Sequence, residues 1–560
     1  MKRLLTLAAA AAICLCAEAR PFTIHLMGDS TCAEKDLSKG TPERGWGMML
    51  QNFLDDEVKV INYARNGRST KSFRDLGHWD QVKANVKPGD YVFIQFGHND
   101  AKESDPARYA PAWGAYSDNL KAYIDTVRLL GGHPVLLTPT SRRWFKDGRL
   151  DRNCHGDYVP AMKAVAEQTG TPLIDITDAT MDWLESLGDE ASRPYYMWLP
   201  AGKYASHPDG ITDNTHTNAA GARIIAQMVC DSLNVRFPEI AEHLTRYDIV
   251  VSPDGHGDYM TVQEAIDAVP DYSHEKITTI LIKAGTYFEE VTIPHNKFRI
   301  HIKGEGADVT KITFDKAASK LWPGTNDKIG TSGSATMYIH SSYVTLEDLT
   351  IENCAGPGSV VGQAVALDTD GDFIFVHRCR IIGDQDTLYT YGRYGKDGGI
   401  KRNYFLDCYI EGGTDFIFGT SIAYFENCEL HSKVNSYITA ASTLEGQKYG
   451  YVFHNCTLTA AEGVDKVYLG RPWRPYARTV FIDCEMGAHI RPEGWHNWGK
   501  ASNEKTAFYA EYGNHGPGAS TSGRVKWSHR LSKKQAAEYS FEKVMYQAND
   551  GIVWDPFDNR

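Results

Sequence analysis

Phe405-Leu406-Asp407-Cys408-Tyr409-Ile410 returns as Phe425-Glu426-Asn427-Cys428-Glu429-Leu430, then as Phe453-His454-Asn455-Cys456-Thr457-Leu458 and Phe481-Ile482-Asp483-Cys484-Glu485-Met486. Two earlier phrases have the same cast, Val376-His377-Arg378-Cys379-Arg380-Ile381 and Ile351-Glu352-Asn353-Cys354. In all six an apolar residue stands three before the cysteine. Asn or Asp directly precedes it everywhere except at Arg378, and five of the six have Ile, Leu or Met two residues after. The intervals between the cysteines are 25, 29, 20, 28 and 28 residues, a mean of 26. Such a recurrence marks a stack of like units, each burying its apolar side against the next. The phrases are short and rich in β-branched and aromatic residues, with Gly and Asp between them, so each unit is expected to be strands and turns. This predicts a right-handed parallel β-helix with the cysteines stacked inside as small apolar groups. No leucine phrase keeps the period, which sets leucine-rich repeats aside. Neighbouring coils lie about 4.8 Å apart, a distance that permits disulfides. Same-phase side chains run parallel rather than toward each other, however, and that favours reduced, buried thiols.

The period also places two carboxylates. Asp386 lies seven residues after Cys379, and Asp415 seven after Cys408. In a stack they occupy the same phase of adjacent coils, with backbones about 5 Å apart. Two carboxyls that close do not both ionise cheaply: one becomes a proton donor, while the other stays an anion if a cation is near. Arg471 is a candidate cation. Gln385 adjoins Asp386, and Gln363 falls in the preceding coil, so two neutral amide donors could hold a developing oxyanion. From spacing alone, solvated turn aspartates remain the alternative reading.

Several phrases in one order then make the segment from Asp248 to about Trp554 resemble pectin methylesterases, carbohydrate esterase family 8. They are Gly285-Thr286-Tyr287 with Glu290, Gly362-Gln363-Ala364-Val365-Ala366-Leu367, Gln385-Asp386-Thr387-Leu388-Tyr389, Asp415-Phe416-Ile417-Phe418-Gly419 and Gly470-Arg471-Pro472-Trp473. Tyr509-Ala510-Glu511-Tyr512-Gly513-Asn514, Gly516-Pro517-Gly518-Ala519 and Val525-Lys526-Trp527 follow. The resemblance implies Asp415 as nucleophile on a galacturonate methyl ester, and Gln363 and Gln385 as oxyanion donors. It implies that Asp386 protonates the departing methanol and then activates water, and that Arg471 keeps Asp415 ionised and oriented. Trp473, Tyr389 and Phe418 would contact sugar rings. No metal or other cofactor is implied. A pectate lyase or polygalacturonase of the same architecture would lack this two-glutamine, two-aspartate and arginine set. A non-catalytic, carbohydrate-binding β-helix would have no need to keep it.

The first half reads differently. Strand-like runs at Phe22–Met27, Val58–Tyr63, Tyr91–Phe96, Pro134–Thr138 and Pro172–Ile176 alternate with amphipathic stretches such as Ala110–Leu130 and Tyr158–Gln168. That alternation predicts a parallel sheet covered by helices, with ligands at the carboxyl ends of its strands. Gly28-Asp29-Ser30 follows the first strand, Gly67 the second, and Gly97-His98-Asn99-Asp100 the third. Asp213-Asn214-Thr215-His216 precedes a helical run from about Asn218. Ser30, His216 and Asp213 can form a nucleophilic relay. Together and in this order the motifs over about residues 22–235 resemble SGNH (GDSL-type) hydrolases, most closely the rhamnogalacturonan acetylesterases of carbohydrate esterase family 12. The resemblance implies a three-layer α/β domain with a flavodoxin-like sheet and Ser30 as nucleophile. The backbone N–H groups of Ser30 and Gly67 and the Asn99 side chain would hold the oxyanion, with Asp29 and His98 supporting the loops. An SGNH esterase of another substrate is the competing reading. Cys32, two residues past Ser30, is not expected to act as a nucleophile.

At the N-terminus, Lys2 and Arg3, the apolar run from Leu4 to Cys16 and Ala17-Glu18-Ala19 read as a cleaved export signal. The run is short of the roughly 20 apolar residues of a membrane span. The expected organisation is a signal at 1–19, an esterase domain at 20–245 and a β-helix at 248–560, exported to the periplasm or secreted and free of membrane after cleavage. Cleavage leaves nine of eleven cysteines, an odd number that cannot all pair within one chain. With 71 acidic against 59 basic residues the formal charge is −12, which argues against a nucleic-acid partner. The expected partner is pectin, a galacturonan or rhamnogalacturonan carrying methyl and acetyl esters. A methyl-esterified galacturonan is locally neutral, so the acidic balance does not oppose it. Oligomeric state has no signature in the chain.

Overall fold

The computed structural model describes residues 22–391, 401–546 and 554–557. The expected signal at 1–19 lies outside the described residues. The chain divides into two compact units, Met1–Arg246 and Tyr247–Arg560.

In the first unit five strands form one parallel sheet: β1 (Thr23–Gly28), β2 (Lys59–Asn62), β3 (Tyr91–Gln95), β4 (His133–Leu137) and β5 (Leu173–Ile174). Their order is β2-β1-β3-β4-β5, the flavodoxin-like arrangement. Chain direction across the sheet reverses beside β1, so the loops after β1 and β3 open side by side. β1, β3 and β4 are buried on both faces and read as nearly continuous apolar runs. The stretch expected as strand from Pro172 to Ile176 shortens to Leu173–Ile174. Asp175 ends it by accepting the N–H of Asp178, which starts helix α1 (Ile176–Ser192). Two apolar clusters, one on each side of the sheet, make the core.

The second unit is a parallel β-helix: its described residues form three parallel sheets of 11, 8 and 7 strands, each strand paired with its counterpart one coil later. Val376, Phe405, Phe425, Phe453 and Phe481 stand opposite one another in register inside the coil. The last four stack ring on ring, with centroids 4.7, 4.5 and 4.5 Å apart and nearly parallel planes. Cys379, Cys408, Cys428, Cys456 and Cys484 are buried free thiols, with Sγ atoms beside backbone carbonyls. Cys354 is the exception, for it is exposed. Leu346 pairs with Val376, so Leu349 takes the place below Cys379, and the Cys354 phrase lies elsewhere on the coil.

The residue before each stacked position has a reason to be Asn or Asp. Asp348, Arg378, Asp407, Asn427, Asn455 and Asp483 all have φ between 49° and 57°. Short polar side chains tolerate that left-handed turn best. Asn455 Nδ2 donates to Asn427 Oδ1 at 2.7 Å, and Asn427 Nδ2 to Asp407 Oδ1 at 3.1 Å, so the turns form a polar ladder beside the thiols.

Candidate active sites

In the second unit the seven-stranded sheet carries the carboxylates. Its strands include β7 (Leu367–Thr369), β8 (Leu388–Thr390), β9 (Ile417–Gly419), β10 (Tyr437–Ala441) and β11 (Tyr468–Gly470), while β6 (Ile211–Asn218) belongs to the first unit. Leu388 pairs with Ile417, so Asp386 and Asp415, each two residues earlier, occupy one position of adjacent coils. Both have positive φ, 64° and 50°. Their N–H groups are held by the next coil, Asp386 by Thr414 O and Asp415 by Tyr437 O. This fixes two backbone positions in a left-handed conformation that costs free energy, a cost the stacked coils sustain.

Arg471, directly after β11, grips Asp415 with both prongs: Nε–Oδ1 2.9 Å and Nη2–Oδ2 2.6 Å. Its guanidinium carbon lies 3.9 Å from the ring centres of both Tyr437 and Trp498, which enclose it. Burial and then the charge of Asp415 push the Asp386 carboxyl well above the usual range, with Arg471 pulling the other way. Asp415 also lies above its ordinary value, because burial outweighs the guanidinium. The Arg471 grip expected for Asp415 is present, and the cation offsets the desolvation of that carboxyl without reversing it. The two carboxyls remain unequal, as a proton donor and a paired acceptor require.

Gln363 and Gln385 come from adjacent coils, whose backbones meet where Ala364 N donates to Gln385 O at 3.1 Å. Both are half-buried, and Gln385 directly precedes Asp386. The aromatic expectations divide. Tyr389 and Phe418 stack at 4.2 Å but are 5% and 3% exposed, so they form a floor. Half-buried Trp473 stands edge-on to Phe418 at 5.9 Å and is the ring of the three most open to a ligand.

In the first unit Ser30 sits in the turn after β1. His216 Nε2 is 2.9 Å from its Oγ, and His216 Nδ1 is 2.7 Å from Asp213 Oδ2. Asp213 and His216 lie on β6, whose pairing is interrupted between Thr212 and Thr217. Asp213 Oδ1 accepts the N–H groups of Thr215 and His216, closing a tight turn that points both side chains one way. Burial pushes the Asp213 carboxyl up, but the His216 ring and those two N–H groups more than offset it, leaving it at about 2. It is thus the anion that a relay requires.

Gly67 has φ 71°, a left-handed turn that suits glycine. The loop joins the Ser30 turn through Lys35, whose Nζ donates to Ser30 O and Asn66 Oδ1 at 2.7 and 2.9 Å. Asn99 is buried, with Nδ2 donating to Arg68 O at 3.0 Å, which leaves its second N–H for another acceptor. Asp29 accepts from Thr31 and meets His98 Nδ1 at 3.2 Å, deep beneath the site. Sequence reasoning missed Arg142 and Arg143. Arg142 Nη1 holds Thr215 Oγ1 at 2.9 Å and Arg143 Nη1 holds Asn214 Oδ1 at 2.9 Å, which fastens the turn of the relay. Among the described residues no cluster of His, Cys, Asp and Glu is arranged to hold a metal, and no helix is long and apolar enough to cross a membrane.

Comparison with known proteins divides the chain in the same two parts. The family model described as Pectinesterase matches residues 248–549, and that of the GDSL-like Lipase/Acylhydrolase family matches residues 26–224. Pectinesterase 31 of Arabidopsis thaliana is 40% identical over 293 residues, covering 52% of this chain and 89% of that protein. Probable pectinesterase/pectinesterase inhibitor 64 of the same plant is 36% identical over 316 residues, 52% of this chain and half of the relative's own length. Among solved structures, pectin methylesterase from carrot superposes with a TM-score of 0.50 at 31% identity, covering 56% of this chain and 98% of that one.

Proposed function

The chain belongs, through residues 248–549, to the pectinesterase family, and from that premise we propose that it is a bifunctional pectin de-esterase. The second unit hydrolyses galacturonate methyl esters. Asp415 attacks the ester carbonyl, Gln363 and Gln385 donate to the oxyanion, and Asp386 gives its proton to the departing methanol. Asp386 then takes a proton from water as that water opens the acyl-enzyme, and Asp415 is regenerated against Arg471. One observation carries this reading: two carboxyls in register on adjacent coils, of which only Asp415 is clasped by a guanidinium. Trp473 gives the sugar an aromatic face.

The first unit hydrolyses acetyl esters of pectin or rhamnogalacturonan through Ser30, His216 and Asp213. Its support is the unbroken chain of contacts from Ser30 Oγ to Asp213 Oδ2 together with the GDSL-like match. The oxyanion falls to Ser30 N–H, Gly67 N–H and Asn99. Both sites act outside the cytoplasm, for which N-terminal sequencing of the mature protein is the check, with Arg20 as the expected first residue.

The experiment is a crossed one. Asp415→Asn lowers methanol release from methylated pectin by at least roughly a thousandfold and leaves acetate release in place. Ser30→Ala does the converse. Methanol release surviving in the first variant, or loss of both products in either, sinks the assignment.

A further inference from the structure

Although the chain as a whole is acidic, cations gather round Ser30. Arg142 approaches from the acid side of the relay: its Nη1 bonds Thr215 Oγ1, next to His216, and its guanidinium carbon lies 5.0 Å from the ring of exposed Trp144. It is half-buried and pairs with no carboxylate among the described residues. Burial brings this guanidinium down, and Cys154, Asp29 and Asp213 only partly restore it. Arg108 stands on the oxyanion side, with Nη1 3.4 Å from Asn99 Oδ1 and 3.7 Å from where a Cβ on Gly67 would lie. Asp105 occupies its Nε at 2.5 Å. Exposed Lys102 is tied to the same loop, its backbone N–H donating to Asn99 O at 3.3 Å, and its amine is lowered by desolvation and then by Arg108 and Arg142. The carboxylates close to Ser30 are already committed, Asp29 to His98 and Thr31 beneath the site and Asp213 to His216.

We propose that the first unit selects esters carried on a polyanion: acetylated sugars whose neighbouring residues present free carboxylates, bound by Arg142, Lys102 and Arg108. This rests on the reading of Ser30 as an ester-hydrolysing nucleophile. The second unit differs, because Arg471 is spent on Asp415 and enclosed by Tyr437 and Trp498, so the incoming methyl ester meets no free guanidinium from it. Hydrolysis there turns a neutral ester into a carboxylate plus methanol. The product of the methyl-ester hydrolysis is therefore the feature that the acetyl-ester site binds, and demethylation precedes deacetylation.

The test uses the full chain and acetylated oligogalacturonates in two forms, free acid and uncharged methylamide, the latter inert to methyl-ester hydrolysis. The free acid is expected to give at least about tenfold higher kcat/KM for acetate release, through KM, at low salt, with the preference shrinking as ionic strength rises. Arg142→Gln and Lys102→Gln each reduce that ratio several-fold, whereas Arg142→Lys keeps most of it. On methylated, acetylated pectin, acetate release lags methanol, and prior demethylation removes the lag. Equal kcat/KM on the two oligomers, or a ratio unmoved by either glutamine variant, overturns the proposal. Hydrolysis of p-nitrophenyl acetate reports separately on the nucleophile: if Ser30→Ala does not abolish it, the esterase reading itself falls.

Discussion

Asp386 shows how a single buried carboxyl couples chemistry to stability. Its folded-state pKa lies above the unfolded value, so the folded form keeps a proton that the unfolded chain has released. Stability from this group is full below the unfolded pKa of about 3.9 and is lost as pH rises toward the folded pKa, at about 1.4 kcal/mol per unit. Asp386→Asn is therefore expected to raise Tm at neutral pH, with the gain vanishing near pH 3.5. A gain that grows toward acid contradicts the sign. Arg471 makes the opposite case. Arg471→Lys keeps the charge but loses the two-pronged grip and the fit between Tyr437 and Trp498, so methanol release should fall roughly a hundredfold despite the conservative change. In the first unit, Asp213→Asn removes the anion behind His216 and should lower kcat for acetate release by roughly 10²–10⁴. Ser30, His216, Asp213, Asp386 and Asp415 are all legible in the chain, because each stands at a strand end or a repeat phase that spacing reveals. Tyr437 and Trp498 are not, because they are aromatic residues in an aromatic-rich sequence and only the closure of the coil brings them to Arg471.

Among the elements, the stacked phenylalanines bear most directly on the fold. Phe425 is fully buried between Phe405 and Phe453, and a coil held rigid on both sides has little room to collapse onto a void. Phe425→Ala should cost about 3–5 kcal/mol in chemical denaturation of the second unit. The same substitution should leave acetate release by the first unit unchanged. The repeat was readable because its signals coincide, with an apolar residue, a left-handed turn and a small thiol all recurring together. It misleads at Cys354, where Asn353-Cys354 copies the phrase without the backbone that goes with it. Asn353 makes no left-handed turn. Instead its Nδ2 donates to the carbonyls of Lys316, Ser334 and Val365. Local wording cannot distinguish an amide that shapes a turn from one that ties three strands' ends together. In the first unit the boundary between β5 and α1 was blurred for a related reason, since Asp175 can end a strand or cap a helix and here does both.

For the molecule as a whole, the division at Arg246 and Tyr247 leaves each unit with its own core and its own proposed set of reacting groups. Residues 22–246 and 247–560, expressed apart, should each fold, the first releasing acetate and the second methanol. The net charge of −12 told little about either site, because a sum over 560 residues conceals the cations round Ser30. The coil-on-coil pairing of the second unit has one further consequence, a mechanical one. Among the described residues the strands there pair only with counterparts in the coils before and after, so once the C-terminal segment is peeled from the coils it packs on, tension loads the coils in turn. Pulled in an optical trap, that unit should lengthen in discrete steps. The 28 residues from Cys428 to Cys456 would contribute about 90–100 Å of contour per step.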